Sequence, residues 1–305
     1  MTPIQYCYAK VKESKSNFTW AFYFIGKDRR DALVSLYAFC REIDDIVDNT
    51  IDLEVATAKI NWWKDEINRL FHSTPQHPVT KSLLNFIHIY ELNEAYFLEM
   101  LDGMEMDLKF NRYESFKQLQ LYCYRVAGVV GILSVKILGF KNQATLKYAH
   151  DLGIALQLTN IVRDVGEDAR KNRIYIPLNE LDLFNVSEDD ILGFNENKNV
   201  SSLLIHQIER AETFYKSAYE KIPKEDINRQ IPGLLMGKIY ETLLFEIKRD
   251  RPEQTLNHKI ILPPIRKMLV IFTCFFKNKF YKFIWNNQYN NNIFNNIIYD
   301  NKDYI

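Results

Sequence analysis

The chain has 305 residues, of which 47% are hydrophobic, and its 39 Lys and Arg residues balance 39 Asp and Glu residues. That length and hydrophobicity are enough for one large core. A net charge of zero excludes the basic surface expected of a nucleic-acid-binding protein. The widely spaced cysteines form no C-x-x-C pair, and the N-terminus lacks the apolar run of a secretory signal. We therefore expect free thiols and a cytoplasmic location.

Helical periodicity dominates the chain, and proline and glycine are sparse. Asp28 is a candidate N-cap of a helix that ends near Asp48, and a second helix is predicted over 53–71, before the breaker-rich segment 72–78. Further helices are predicted over 79–90, 92–109, 114–139, 143–171, 200–222 and 226–249. Residues 173–199 are predicted to form a long loop. Because alternating strand patterns are almost absent, we predict a single all-α domain over residues 1–270.

The C-terminal segment, 271–305, differs from the rest. From Trp285 onward it is asparagine-rich and has no helical stripe, so it is predicted to be poorly ordered. The apolar run Met268–Phe276 has nine residues, too few to cross a bilayer, and basic residues flank it. Contact with a membrane surface and burial in a core or under a partner are equally open alternatives for this run.

Two acidic clusters, 120 residues apart, are the most informative feature. Asp44, Asp45 and Asp48 form the first, and Asp164 and Asp168 belong to the second. In each cluster, carboxylates four residues apart share one helical face, where they repel each other unless a cation lies between them. Mg²⁺ bound by carboxylates usually also binds a substrate phosphate. Two such faces opposite each other indicate metal-assisted chemistry on a diphosphate, although either string alone is more often a solvated helix face.

The helical register of these acids supports the metal interpretation. Asp44 follows Tyr37 and Cys40 on the apolar stripe of its helix, and Asp164 and Asp168 continue a similar stripe. We therefore expect the acids to point inward, near the C-terminal ends of their helices. Burial and the helix macrodipole both disfavour negative charge there. A bound cation would offset both penalties.

Cationic and hydroxyl side chains near the clusters are candidates for binding a diphosphate. The guanidinium groups of Arg41, Arg163 and Arg173 match phosphate oxygens geometrically, and pairing with a neighbouring carboxylate is the common alternative for any one of them. Ser14 and Ser16 could donate to a diphosphate, but capping of a helix is the simpler interpretation of serines near a helix start.

Small and aromatic residues indicate where an apolar substrate could lie. Ala127, Gly128 and Gly131 open space on one helix face, and glycine inside a helix costs about 1 kcal/mol relative to alanine. A trough for a long isoprenoid tail and a close helix–helix contact explain them equally well. Tyr37 and Tyr122 are candidates for contacting a carbocation, with ordinary core packing as the alternative.

Three segments, in order along the chain, resemble motifs of the squalene and phytoene synthase family. Leu36–Asp48 resembles the first aspartate-rich motif, and Tyr122–Gly128 resembles the central tyrosine-containing signature. Gln157–Asp168, together with Arg173–Pro177, resembles the second aspartate-rich motif. The resemblance covers nearly all of residues 10–250. It implies an isoprenoid synthase helical bundle around a central apolar cavity and head-to-head condensation of two prenyl diphosphates.

The resemblance also implies a role for each matching residue. It assigns roughly two or three Mg²⁺ ions to Asp44, Asp45, Asp48, Asp164 and Asp168. It assigns diphosphate contact or support of the metal site to Ser14, Ser16, Arg41, Gln157, Asn160, Arg163 and Arg173. It places Tyr37, Tyr122 and Tyr240 at the reacting centre as catalytic residues. Glu13 departs from the histidine of some relatives, which leaves the roles of the two serines open.

Two further segments point to one branch of the family. Gly103–Leu108 and Arg229–Met236 are similar to segments of bacterial hopanoid-pathway enzymes that make presqualene diphosphate from two farnesyl diphosphates. We therefore expect that reaction, with Mg²⁺ and without NADPH. A squalene synthase that uses NADPH, a dehydrosqualene synthase, and a phytoene synthase that takes the longer geranylgeranyl diphosphate are the alternatives within the family.

A scaffold or assembly factor that keeps the fold without the chemistry is the alternative outside enzymes. Such a protein is expected to have lost its carboxylates, and all the acids and arginines named above are present in this chain. We infer no obligate protein partner. Contact with a membrane surface stays open beside the cytoplasmic location.

Overall fold

The structure is a computed structural model that describes residues 1–13, 25–50 and 52–273. The chain divides into two compact units, Met1–Ile261 and Leu262–Ile305. Within the described residues the protein is helical, and its one strand-like pairing is an isolated bridge between Arg112 and Ile174. The all-α prediction is therefore confirmed, whereas the predicted domain boundary after residue 270 stays a prediction. The asparagine-rich tail lies outside the described residues.

The first unit contains helices that we number in chain order. They are α1 (Pro3–Glu13), α2 (Lys27–Asn49), α3 (Leu53–Phe71), α4 (Pro78–Leu83), α5 (Glu94–Lys109), α6 (Phe116–Cys123), α7 (Val129–Leu138), α8 (Ala144–Arg170), α9 (Leu178–Leu183), α10 (Glu188–Leu192), α11 (Lys198–Lys221) and α12 (Ile231–Arg249). A π-helical turn, Tyr124–Gly128, joins α6 to α7, and a 3₁₀ turn, Pro252–Leu256, follows α12.

The starts of two helices show one correct and one wrong prediction. The Asp52 side chain accepts hydrogen bonds from the backbone N–H groups of Glu54 and Val55, which caps α3 at its predicted start. The predicted capping role of Asp28 is wrong, because Gly26 is the N-cap of α2 and Asp28 lies in the first turn. Its negative charge there interacts favourably with the positive end of the helix macrodipole.

Short or terminal elements were predicted less well. Helix α1 was not predicted, and the predicted helix 79–90 is helical only over Pro78–Leu83. The predicted loop 173–199 contains α9 and α10, the latter capped by reciprocal hydrogen bonds between Ser187 and Asp190. Helices this short span fewer than two turns, so their sequences cannot display a helical stripe.

Helix α8 runs through the centre of the first unit and packs against α7, α11 and α12. A Cβ atom added to Gly131 would lie 2.5 Å from the carbonyl oxygen of Ala149, and one added to Gly153 would lie 2.5 Å from that of Ala127. These glycines therefore allow the backbones to touch, which confirms the close-contact interpretation. The same residues border a central cavity, and the interpretation of this face as a trough for an isoprenoid tail stays a prediction.

One helical run in the described residues, Phe116–Leu138, is long and apolar enough to cross a membrane by length and composition. Half of its most apolar window is buried within the protein, and Leu133 and Ile137 are fully buried in the core. In the second unit, residues 264–273 are helical and expose Ile265, Met268 and Leu269. Contact of this segment with a membrane surface stays a prediction.

Candidate active site

The first acidic cluster occupies the last turns of α2, and its carboxylates point in different directions. Asp44 lines the central cavity. Asp45 points away from it, and its two oxygens contact Arg41 and Lys10, each at 2.8 Å. Asp48 is exposed, one turn closer to the helix end. The expectation of inward-pointing acids is therefore right for Asp44 and wrong for Asp48, because α2 extends past the cavity wall.

The second cluster occupies the last turns of α8 and is partly neutralised by cations. Arg163 Nε donates to Asp164 at 2.8 Å, and Lys259 Nζ contacts the same carboxylate at 3.0 Å. Lys259 also contacts Glu167 at 2.7 Å. Asp168 is half-buried one turn further along the helix. Burial and repulsion from Asp164 and Asp107 raise its pKa, whereas Arg173 and Lys171 lower it.

The pKa values of two aspartates reveal strained charge at the site. Burial raises the pKa of Asp44 to about 7, and repulsion from Asp48 adds to this effect while Arg41 opposes it. Burial likewise raises the pKa of Asp168 to about 7, with repulsion from Asp164 adding to it. Both carboxyl groups therefore keep their proton up to a pH well above that at which an aspartate ordinarily ionises. A divalent cation in place of those protons would supply the missing positive charge.

A third carboxylate, Asp107 of α5, was missed by sequence reasoning. Its side chain is buried, and its oxygens accept hydrogen bonds from the hydroxyl groups of Tyr122 (2.8 Å) and Tyr175 (2.7 Å). Burial raises the pKa of Asp107 to about 6 although both hydroxyls lower it. Its charge repels Asp44 and also Asp168. Asp107 therefore lies between the two acidic clusters.

A sequence signal for Asp107 did exist. Met100, Met104 and Asp107 follow one another at helical spacing, and all three are buried in the structure. A carboxylate that continues a buried stripe is the same signal that identified Asp44. It was overlooked because it stands alone, without a second acid four residues away.

A lysine shows directly that the two acidic helix ends meet. Lys171, which follows α8, contacts Asp48 of α2 through Nζ at 3.0 Å. Its side chain is exposed. The lysine side chain thus bridges the ends of the two helices. We refer to this end of the cavity, with Asp44, Asp48, Asp107, Asp164 and Asp168, as the acidic mouth.

The residues of the acidic mouth fit Mg²⁺ shared with a phosphate better than a complete protein cage. Among the described residues, no three Asp, Glu, His or Cys side chains come close enough together to hold one ion. Mg²⁺ commonly takes one or two carboxylates and completes its shell with water and substrate phosphates. The buried Oδ1 of Asn160 has no hydrogen-bond partner on any residue that the structure describes, so one neutral oxygen donor near this cluster is available for a ligand.

Behind the mouth lies a largely apolar cavity of about 330 Å³, bordered by α2, α7, α8 and α12. Seven predicted site residues line it: Tyr37, Arg41, Asp44, Gln157, Asn160, Arg163 and Tyr240. Tyr122 is not among the lining residues and is buried beside Asp107 instead. The charge of Arg173 acts on Asp107, which places it on the same side. Ser14 and Ser16 lie outside the described residues.

Stacked tyrosines support Asp107 from behind. The rings of Tyr122 and Tyr175 are 5.3 Å apart, and Tyr113 lies 5.6 Å from Tyr122. Burial and the neighbouring Asp107 raise the pKa of Tyr122 well above its ordinary value. Its hydroxyl therefore keeps its proton and donates it to the carboxylate in a hydrogen bond.

Comparison with known proteins agrees with this geometry. The sequence profile of a family described as squalene/phytoene synthase matches residues 11–266. A phytoene synthase of Arthrospira platensis is 35% identical over 256 residues, an alignment that covers 80% of this chain and 82% of the relative. A chloroplastic phytoene synthase of Daucus carota is 36% identical over 253 residues, which is 80% of this chain and 64% of that longer protein.

The fold agrees as well. A dehydrosqualene synthase solved with a bound ligand superposes with a TM-score of 0.82 at 26% identity, covering 92% of this chain and 97% of that one. It confirms the predicted isoprenoid synthase bundle. Enzymes of the matched family condense prenyl diphosphates head to head and use Mg²⁺ to bind the diphosphate. By the extent of the profile match and the identity to its relatives, this chain belongs to the squalene/phytoene synthase family.

Proposed function

We propose that this chain condenses two geranylgeranyl diphosphates head to head in a Mg²⁺-dependent reaction that leads to phytoene. The observation that carries the proposal is the acidic mouth itself. Carboxylates from α2, α5 and α8 converge where an apolar cavity opens. A metal ion bound to diphosphate complements the negative charge of the mouth, and a hydrocarbon tail complements the apolar cavity.

In the first half-reaction, the C1–O bond of the donor breaks and its electron pair leaves with the diphosphate. The 2,3-double bond of the acceptor attacks the allylic cation at the donor C1, and loss of a proton from that donor carbon closes a cyclopropane ring that still carries the acceptor's CH₂–diphosphate group. In the second half-reaction this diphosphate leaves with its electron pair, the resulting cation rearranges, and loss of a second proton gives phytoene without a reductant. When bound, Mg²⁺ stabilises the departing diphosphate and lowers the cost of the cation. Asp44, Asp48, Asp164 and Asp168 are the proposed metal-binding residues.

The remaining site residues have three proposed roles: to bind the diphosphate, to orient Arg41 and to shield the cation from water. Arg41 and Arg163 line the cavity and are the proposed donors to diphosphate oxygens, with Asn160 beside them. Asp45 holds Arg41 in place by a 2.8 Å ion pair, so we propose that it positions this arginine. The apolar wall excludes water that would otherwise trap the cation.

The aromatic residues have proposed roles at the reacting centre. Tyr37 and Tyr240 line the cavity, where an aromatic face can stabilise a passing positive charge. Tyr122 is proposed to act through Asp107, whose carboxylate it orients by a 2.8 Å hydrogen bond. Arg173 is proposed to contact the diphosphate from the Asp107 side of the mouth.

The choice of geranylgeranyl diphosphate is supported by the curated relatives, among which phytoene synthases of cyanobacteria and plants recur. A second candidate is the condensation of two farnesyl diphosphates to presqualene diphosphate. It is supported by the likeness of Gly103–Leu108 and Arg229–Met236 to hopanoid-pathway enzymes and by the dehydrosqualene synthase fold match. We expect no use of NADPH for either product.

Product analysis separates these candidates. The protein is incubated with Mg²⁺ and either geranylgeranyl or farnesyl diphosphate, with and without NADPH, and the products are identified by mass spectrometry. Phytoene from the longer substrate supports the first candidate. Presqualene diphosphate from farnesyl diphosphate supports the second, and squalene formed only with NADPH would replace both with a squalene synthase.

Inactivity with both substrates would favour the scaffold alternative. A thermal shift with Mg²⁺ and a non-hydrolysable prenyl diphosphate analogue then decides between an inactive preparation and a protein without a site. Binding to the folded state raises the unfolding temperature, so a scaffold without the site shows no shift.

A further inference from the structure

The end of the cavity opposite the acidic mouth is closed by three segments of chain. Leu138 ends α7, Tyr148 lies near the start of α8, and Gln230 and Gly233 lie at the start of α12; all four line the cavity. Because an α-helix rises about 1.5 Å per residue, Tyr148 lies about 24 Å from Asp164 along α8. We call these four residues the cavity floor.

Tyr148 is packed tightly against the first turn of α12. Its side chain is 1% exposed, and its hydroxyl group has no hydrogen-bond partner in the described part of the chain. A Cβ atom added to Gly233 would lie 2.9 Å from that hydroxyl oxygen and 3.7 Å from Cδ2 of Leu152. The first distance is too short for a carbon atom, so glycine is required here by the tyrosine ring and not by the helix.

Gln230 ties the floor to the rest of the unit. Its Nε2 donates to the carbonyl oxygen of Gly139, directly after α7, at 2.9 Å. The residue is fully buried, and its Oε1 has no hydrogen-bond partner within residues 1–13, 25–50 and 52–273. Each such buried polar atom costs free energy of folding unless a further group pairs with it.

We propose that Tyr148, held against Gly233, sets the length of the prenyl tail that this enzyme accepts. The inference rests on the proposed function, because it assumes that a prenyl chain fills the cavity from the mouth inward. A tail with one more isoprene unit reaches further toward the floor, and the ring of Tyr148 limits that reach. The contact of the Tyr148 hydroxyl group with Gly233 fixes the position of the ring at the cavity floor.

A pair of conservative variants tests this placement. Gly233→Ala adds a methyl group where the tyrosine hydroxyl lies, which pushes the ring into the cavity, and alanine is favourable within a helix. Competing farnesyl and geranylgeranyl diphosphates are supplied together, and the ratio of their kcat/KM values is measured. We expect Gly233→Ala to shift the ratio about tenfold toward the shorter substrate, the size of effect expected when an apolar pocket loses a methylene-sized space.

The double variant Gly233→Ala with Tyr148→Phe removes the hydroxyl that the new methyl group meets. We expect it to restore the parental ratio to within about twofold, because the added methyl then has room. Tyr148→Ala is expected to shift the ratio toward the longer substrate. Gly26→Ala is the matched control, since a Cβ atom there meets no atom of the described residues within 4 Å apart from its chain neighbours.

A binding measurement separates failure of the floor from failure of the proposed function. Dissociation constants of unreactive farnesyl and geranylgeranyl thiolodiphosphates are measured with Mg²⁺ by calorimetry for the parent and each variant. A parent that binds both analogues but turns over neither substrate contradicts the proposed function, while the affinity ratio still judges the floor. An unchanged ratio in Gly233→Ala, or a double variant that does not restore it, overturns the floor proposal. A parent that binds neither analogue overturns both.

Discussion

The two ends of the central cavity differ in what holds them together. At the acidic mouth, carboxylates from three helices repel one another, and cations such as Arg163, Lys171 and Lys259 partly neutralise them. At the cavity floor, close packing of Tyr148 on Gly233 leaves no room for a methyl group. Ion pairs, whose cations a ligand can replace, stabilise the mouth. Close packing of atoms stabilises the floor.

This difference predicts how each end responds to change. Electrostatic contacts at the mouth can be exchanged for metal and diphosphate without rebuilding the backbone. Contacts at the floor are close-packed, so a change of one carbon atom is felt as a shift in shape. We therefore expect the mouth to control rate and the floor to control the choice of substrate.

The largest expected effect separates Asp44, which belongs to the acidic mouth, from its neighbour Asp45, which does not. Asp44→Asn should lower kcat/KM by about a hundredfold to a thousandfold, because Asp44 faces the cavity and is a proposed metal ligand. Asp45→Asn is the matched control, since Asp45 points away and pairs with Arg41 and Lys10. We expect a loss of less than about tenfold for it. Steady-state kinetics with saturating Mg²⁺ measures both, and equal losses would contradict the assignment of opposite faces.

Asp107 tests whether the mouth includes a third helix. Asp107→Asn should lower kcat about tenfold to a hundredfold with little change of KM, because one tyrosine hydroxyl loses its charged acceptor near the reacting centre. Tyr122→Phe removes the donor from the same hydrogen bond. If the two residues act as a unit, the double variant loses no more than the worse single variant. Strictly multiplicative losses would show that they act separately.

The raised pKa values of Asp44 and Asp168 predict how the stability of the protein depends on pH. Asp44 and Asp168 have pKa values raised to about 7 from 3.8, so the folded metal-free protein holds their protons more tightly than the unfolded chain. Their contribution to stability is therefore lost as pH rises from about 4 through about 7. Because Mg²⁺ needs the deprotonated carboxylates, its stabilising effect should be larger at about pH 8 than at about pH 6.

Thermal unfolding at the two pH values, with and without Mg²⁺, measures this effect. We expect the Mg²⁺-induced rise in unfolding temperature to be a few degrees larger at the higher pH. Asp44→Asn should reduce that difference, since asparagine has no proton to release. A Mg²⁺ effect that is independent of pH in the parent would show that these carboxyl groups do not take part.

The smallest expected effect concerns the lysine that bridges the acidic helix ends. Lys171→Ala should change the free energy of unfolding by less than about 1 kcal/mol, because the ion pair with Asp48 is solvent-exposed. It should also raise the affinity for Mg²⁺ by about twofold to threefold, since Asp48 no longer has a competing cation. Calorimetric titration measures the affinity, with the exposed Lys216→Ala as control. A weaker affinity in Lys171→Ala would mean that this lysine supports the bound state.

The acidic mouth was largely predictable from sequence because its signals are local. Carboxylates at i and i+4 on an apolar stripe identify a helix end that needs a cation, and Asp44 and Asp164 were found in this way. The long helices α2, α3 and α8 were predicted to within a few residues for the same reason, since each shows several turns of periodicity. Asp107 was missed because no second acid lies four residues away on its helix to mark it.

The sequence by itself determined the helical class, the long helices, the two acidic clusters and the family resemblance, all of which depend on spacing along one segment. Only the tertiary structure decided that Asp45 turns away from the cavity, that Asp107 joins the two clusters, and that Tyr148 meets Gly233. These outcomes depend on contacts between residues far apart in the chain. Packing of whole helices sets such contacts, and no local pattern records them.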